Sequence, residues 1–251
     1  QTYANEIRTK EEHGEGLKDV LAKRKDSLYG IVNGIDKNVW NPEKDKQIPA
    51  NFSAKNIEEK LVNKKELAER FGLAYDEKVP IIGLISRLYD SKGLDLVQKA
   101  FPDLMKLDIQ IILLGTGDQK YHAFFDKMSS KYPKKFASYL GFNDELAHLI
   151  AGSDMFLMPS KYEPCGLNQM YSLVYGTVPI VRETGGLADT VTKFNDKTEE
   201  GNGFVYKKYD SEDMLKEIKR AMKIFEDKKT WQKIMRSGMK SDFSWDSSAK
   251  K

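Results

Sequence analysis

From residue 79 onward, apolar and polar positions alternate in two kinds of block. Val79–Ile85 is a nearly continuous apolar run, the pattern of a strand buried on both faces of a sheet. Lys92–Leu104 instead carries its apolar residues at helical spacing. The two patterns then take turns. Ile109–Leu114, Phe136–Leu140, Met155–Met158, Val178–Val181 and Gly203–Tyr206 read as strands. Tyr121–Lys131, Asp144–Ala151, Leu167–Tyr175, Leu187–Phe194, Ser211–Phe225 and Lys229–Met239 read as helices. Such alternation predicts an α/β fold, a Rossmann-like doubly wound parallel sheet with helices on both faces.

The chain before this region is less regular. Residues 1–27 are polar, with one weak helical patch around Leu17–Lys25. Leu28–Val32 is a short apolar run ended by the turn signal Asn33-Gly34. Trp40-Asn41-Pro42 through Asn63 reads as an ordered but irregular connection, and its length hints at function. Lys64–Phe71 reads as a helix stopped by Gly72, and the run Lys60–Lys65 as a solvated helix face. The expected division is a linker and irregular segment over 1–63, a Rossmann-like nucleotide-sugar-binding domain over 64–240 and a tail helix over 241–251.

Composition narrows the classes. A chain of 251 residues makes one large α/β domain or two small ones, at roughly 150 residues per domain. Its 40% hydrophobic content supports a sizeable core. The 41 basic and 38 acidic residues nearly cancel, to +3, which argues against nucleic acid as the default partner. The single cysteine excludes an intramolecular disulfide framework and a cysteine-rich metal site. His13, His122 and His148 have no metal-ligand spacing. No apolar run approaches the roughly 20 residues of a membrane span, so no membrane partner is expected. No signal peptide is visible and the chain begins with Gln1, so the expected compartment is cytoplasmic unless a processed N-terminus hides a targeting signal.

In doubly wound sheets ligands bind beyond the carboxyl ends of the strands. Arg87, Gly115, Gly117, Phe142, Glu163 and Thr184 each follow a predicted strand, so they converge on one edge. Arg87 and Lys92, in SRLYDSKGLDLV, are two cations beside a helix start, suited to a diphosphate. The plainer reading is a surface arginine and a capping segment. Gly115-Thr116-Gly117 lacks full G-x-G-x-x-G spacing and reads as a tight turn. Glu163 is a loop acid before Pro164, Cys165 fits a small core site, and Phe142 fits a core aromatic or a stacking platform for a base. The loop around Glu163 and the Thr184-Gly185-Gly186 turn each open a helix, which predicts two junctions with free backbone N–H groups; the plainer reading of Thr184-Gly185-Gly186 is a helix N-cap with flexible glycines.

PSKYEPCGLNQMYSLVYGTVPIVRETGGLADTV, over 159–191, resembles the signature of bacterial glycogen synthases and plant starch synthases. SRLYDSKGLDLV, LYGIVNGIDKNVWNP and the terminal DFSWDSSA resemble further segments of that family in the same order, so the likeness covers essentially the whole chain. The resemblance implies the C-terminal, donor-binding half of a two-domain GT-B glycosyltransferase. The family's N-terminal Lys-x-Gly-Gly loop and active-site histidine have no counterpart here, so the chain is expected to be a fragment. The implied reaction is retaining transfer of glucose from ADP-glucose to the 4-hydroxyl of an α-1,4-glucan, without cofactor or metal. The alternatives are a GT-B enzyme using another nucleotide sugar and, for the isolated chain, an inactive binding module. By resemblance Arg87 and Lys92 hold the ADP phosphates, and Glu163 lies under the donor glucose. The N–H groups of Cys165, Gly166 and Leu167 meet sugar hydroxyls, and Thr184, Gly185 and Gly186 sit near the phosphates. Phe142 lies against the adenine, and Asn33 is a donor-site asparagine. Related glycosyltransferases carry a second glutamate where this chain has Tyr171, which matches the synthases. The resemblance places a bacterial member in the cytoplasm and a plant member in the plastid.

Overall fold

A computed structural model describes residues 1–250. In chain order its elements are α1 (Thr2–Thr9), α2 (Glu11–Gly14), α3 (Lys18–Lys23), α4 (Lys60–Arg70), β1 (Ile81–Ile85), α5 (Leu94–Leu104), β2 (Gln110–Leu114), α6 (Gln119–Lys131) and β3 (Phe136–Tyr139). They continue with α7 (Asp144–Ala151), β4 (Met155–Met158), α8 (Asn168–Val174), β5 (Val178–Arg182), α9 (Gly185–Thr190), β6 (Phe204–Tyr206), α10 (Ser211–Phe225), α11 (Lys228–Met239) and α12 (Trp245–Ala249).

The six strands form one parallel sheet in the order β3-β2-β1-β4-β5-β6. Successive residues along each strand enter opposite cores, which is why the strands read as unbroken apolar runs. Ile82, Leu84, Ile111, Leu113, Met155, Leu157 and Ile180 pack against α5, α6, α10 and α11. Ile81, Ile112, Leu114, Phe156, Met158 and Val181 pack against α4, α7, α8 and α9. The chain builds outward from β1 to β3, then returns to the other side of β1 to lay down β4, β5 and β6. Strand order therefore reverses between β1 and β4, and a crevice opens at their carboxyl ends.

Several expected boundaries change. The helix predicted from Lys92 begins at Leu94, because Asp90–Lys92 is a 3₁₀ turn and Gly93 is left-handed at φ 72°. The helix predicted to reach Phe194 stops at Thr190; Thr192 and Phe194 instead bond to Asn202 and Gly203. Residues 2–9, in the polar stretch where a helix is expected only around Leu17–Lys25, form α1, which lies against α9.

The Lys60–Lys65 run is only partly a solvated face, since Val62 and Lys65 are exposed but the other lysines are not. Lys60 and Lys64 are buried on α4 over the entry points of the strands. The Lys60 ammonium donates to the Tyr175 carbonyl at 2.9 Å and to Thr177 Oγ1 at 2.8 Å. Lys64 Nζ donates to the Glu77 carbonyl and pairs with Asp154, both at 3.0 Å. Buried ammonium groups are tolerated when so partnered. Desolvation still pushes the Lys60 pKa down to about 7.

The irregular connection is anchored rather than loose. Trp40 is stacked between His148 and Tyr171, with ring centroids 3.9 and 3.8 Å apart. Asp45 is buried and accepts hydrogen bonds from Tyr175 Oη and His148 Nδ1. This strap thereby fixes α7 and α8 relative to each other.

Candidate active site

The crevice between β1 and β4 is a cleft of about 440 Å³ whose lining includes Asn33, Arg87, Lys92, Glu163, Cys165, Gly166 and Leu167. Two loops make its walls. The loop after β1 carries Arg87 and Lys92, and the loop after β4 carries Glu163 through Leu167. They touch at Gly93, where a Cβ would overlap the Pro159 carbonyl, and Lys161 N–H donates to the Ser91 carbonyl at 2.9 Å. Glycine is needed at 93 on both counts, its positive φ and this close approach.

That approach joins the central pair. Lys92 Nζ lies 2.6 Å from Glu163 Oε2, with the two side chains 19% and 9% exposed. Ser160 Oγ donates to the same carboxylate oxygen at 3.2 Å. Arg182, from β5, braces the loop below by donating to the Ser160 and Lys161 carbonyls. Arg87 is exposed at the cleft mouth, its guanidinium 6.0 Å over the Tyr89 ring, and takes part in no ion pair among the described residues. The cleft therefore holds one cation neutralised by an acid and one left to a ligand.

The opposite wall is built from backbone. Gly166 is left-handed at φ 72° and hands the chain to α8. Gln169 is fully buried, and its Nε2 donates to the Cys165 and Gly166 carbonyls and to Thr190 Oγ1. These bonds fix the Cys165 and Gly166 carbonyls beside the cleft that Cys165–Leu167 line, and the first turn of α8 leaves N–H groups without intrahelical partners there. Asn33 reaches in from the N-terminal segment and donates its N–H to Cys165 Sγ at 3.3 Å. Burial pushes the Cys165 thiol pKa up, so the sulfur is a protonated spacer rather than a nucleophile at neutral pH.

Four of the expected site residues do not line this cleft. Phe142 is 78% exposed in the loop between β3 and α7. Thr184, Gly185 and Gly186 are buried behind Glu163. The expectation of free donors at the start of α9 does not hold. Thr184 Oγ1 and the Gly185 N–H are bonded to the carboxylate of Glu6, and the Gly186 N–H donates to the Glu163 carbonyl at 2.9 Å. Sequence reasoning passed over Glu6, Ser160 and Arg182. A glutamate and an arginine amid ordinary surface charge carry no pattern, although Ser160 stands three residues before Glu163. Among the described residues no group of three or more His, Cys, Asp or Glu side chains converges as metal ligands would.

The sequence model of the family Glycosyl transferases group 1 matches residues 65–237, from α4 to α11 and so through both walls of the cleft. The chain belongs to that family. Within it, the chain is 51% identical to a glycogen synthase of Pseudothermotoga lettingae, over 99% of this chain and 51% of that protein. It is 49% identical to a Bacillus cereus glycogen synthase, over 99% of this chain and 52% of that one. The fold matches the catalytic domain of starch synthase IV from Arabidopsis thaliana, solved with ADP and acarbose, at TM-score 0.93 and 35% identity, covering 99% of this chain and 52% of that one. The chain thus spans about half the length of the relatives it matches, and its fold is the Rossmann-like half of the GT-B architecture. A more distant match, Anabaena HepE in complex with UDP-glucose, shares the fold at TM-score 0.66 and 18% identity.

Proposed function

We propose that this chain is the donor-binding half of a glycogen or starch synthase, which transfers glucose from ADP-glucose to the non-reducing 4-hydroxyl of an α-1,4-glucan with retention of configuration. The observation that carries this reading is the Lys92–Glu163 pair with Arg87 beside it, at the crevice where strand order reverses. A diphosphate needs cations and a pyranose needs an acid and N–H donors for its hydroxyls, and the cleft offers both within one lining. The relatives named above support the choice of donor and product.

In this reading Arg87 and Lys92 receive the diphosphate. Lys92 moves its charge from Glu163 to the phosphate, which frees the carboxylate to accept hydrogen bonds from the sugar. The N–H groups of Cys165–Leu167 face other sugar hydroxyls, Asn33 closes the cleft, and Phe142 lies against the adenine. The reading takes ADP to depart ahead of full attack, without a covalent intermediate. The largest contribution is then stabilisation of the charge that grows on the leaving phosphate, by the two preorganised cations. The glucan is held mainly by parts of the longer protein outside this chain, so the chain alone transfers no glucose.

The test is calorimetry with ADP and UDP in metal-free buffer. ADP is expected to bind weakly, more tightly than UDP, and with affinity falling as salt rises, because the phosphates meet exposed and half-buried cations. Absence of ADP binding at millimolar concentration, or binding unchanged in Arg87→Ala, refutes the assignment.

A further inference from the structure

We propose that Glu6, on the first helix, is a positioning residue that sets the height of Glu163 in the cleft through α9; the inference rests on the donor-site reading above. Glu6 is only 4% exposed. Its carboxylate accepts from Thr184 Oγ1 at 3.1 and 3.2 Å, from the Gly185 N–H at 3.1 Å and from Lys10 Nζ at 3.2 Å. His13 Nδ1 stands 3.7 Å away, without a hydrogen-bond partner of its own among the described residues. Thr184 is the N-cap residue of α9, yet its side chain makes no capping bond to the helix. Glu6 supplies the missing acceptor from a distant part of the chain, and its negative charge suits a helix start.

A second tie prevents α9 from pivoting. Thr2, one turn before Glu6, donates its N–H at 3.0 Å and its hydroxyl at 2.6 Å to Asp189, near the other end of α9. Helix α1 therefore grips α9 at both ends.

The link from α9 to the cleft has no slack. Gly186 N–H holds the Glu163 carbonyl. A Cβ on Gly185 would overlap that same carbonyl, and one on Gly186 would overlap the carbonyl of Cys165. The first turn of α9 thus lies in contact with the backbone that carries the acid and the sugar-facing peptides. A shift of α9 passes directly into both. The cations that meet the phosphates stand on the other wall, after β1: Arg87 touches neither Glu163 nor α9, and Lys92 is tied to α9 only through its ion pair with the Glu163 carboxylate.

This asymmetry gives the test. ADP and ADP-glucose are titrated into the 251-residue chain, as wild type, Glu6→Ala and Glu6→Gln, and amide exchange is followed at Gly185 and Gly186. For Glu6→Ala the affinity for ADP-glucose should fall about tenfold and Gly186 exchange should rise about tenfold, as expected for loss of a helix cap. ADP affinity should change by no more than about threefold, since its phosphates meet the β1 wall and feel Glu163 only through Lys92. Glu6→Gln, which keeps one acceptor oxygen for Gly185, should recover most of both effects. Equal losses for the two nucleotides, or an unchanged ADP-glucose affinity, overturn the proposal. If the wild type binds neither nucleotide, the donor-site reading fails by itself. The clamp is then judged by exchange, and a Gly186 rate that Glu6→Ala leaves unchanged overturns it.

Discussion

Replacing Lys92 by methionine should destabilise the chain more than any loss of packing explains, because it strands a carboxylate. Lys92 Nζ and Glu163 Oε2 are 2.6 Å apart, and Glu163 is the better buried partner at 9% side-chain exposure against 19%. Removing one member of a buried pair costs about 3–5 kcal/mol. Here Ser160 still donates to the orphaned oxygen, and the cleft admits water, which places Lys92→Met near the low end, at about 3 kcal/mol. Glu163→Gln leaves the cation, which is more exposed and can turn to solvent, so about 1 kcal/mol is expected. The double variant Lys92→Met/Glu163→Gln has no stranded charge and should cost about 2 kcal/mol, which gives a coupling of about 2 kcal/mol. Urea unfolding of the four proteins reads this directly. With slopes of about 2–3 kcal/mol per molar for a chain of this size, Lys92→Met shifts the midpoint by roughly 1 M. A double variant as unstable as the sum of the singles would mean that the pair is not coupled, and the account of Lys92 shuttling between acid and phosphate would fall with it.

Three further outcomes follow from features away from this pair. Lys60 titrates near 10.5 unfolded and about 7 folded. The unfolded chain therefore holds the extra proton between those values, and stability should rise with pH by up to about 1.4 kcal/mol per unit across that window; urea midpoints at pH 7 and 9 should show the rise, and Lys60→Met should flatten it. Gly93→Ala should cost at least about 1 kcal/mol for its positive φ alone, and more because the loops must part at Pro159, with ADP affinity falling alongside in calorimetry; an unchanged melting temperature would refute the close approach. Trp40→Ala removes a ring stacked on both faces and should cost about 3 kcal/mol, read as a lower thermal midpoint and faster exchange in α8.

The sheet and the cleft were legible in the sequence for one physical reason. Strands buried on both faces have no polar face, so Ile81–Ile85, Gln110–Leu114 and Met155–Met158 stand out against charged helices. The carboxyl-end rule then collected Arg87 and Glu163 without knowledge of their contacts, together with Gly115, Gly117, Phe142 and Thr184, which do not line the cleft, while Lys92 was picked out by its place beside a helix start and by the family resemblance. Buried charge was not legible. Lys60, Lys64 and Glu6 look like surface residues, because only their partners make burial tolerable, and those partners lie far along the chain. The donors expected at Thr184–Gly186 were misjudged for the same reason, since nothing local shows that Glu6 fills them. Helix α1 was missed because its buried positions, Ala4 and Glu6, include a charge and break the apolar stripe.

The reversal of strand order also bears on how the chain folds. β1 sits in the middle of the finished sheet, but its two neighbours arrive at different times: β2 follows it directly, and β4 only after two more helices and β3 have been made. The half from β1 to β3 can assemble from near neighbours, with the other edge of β1 left bare until β4 docks. That edge is fully apolar on both faces, the kind of strand other chains can pair with. The same crevice that holds the cleft is thus the seam at which the second half of the sheet must dock onto the first, before β5 and β6 can be added beyond β4, and a destabilised β4 would favour aggregation over a loosened but soluble fold.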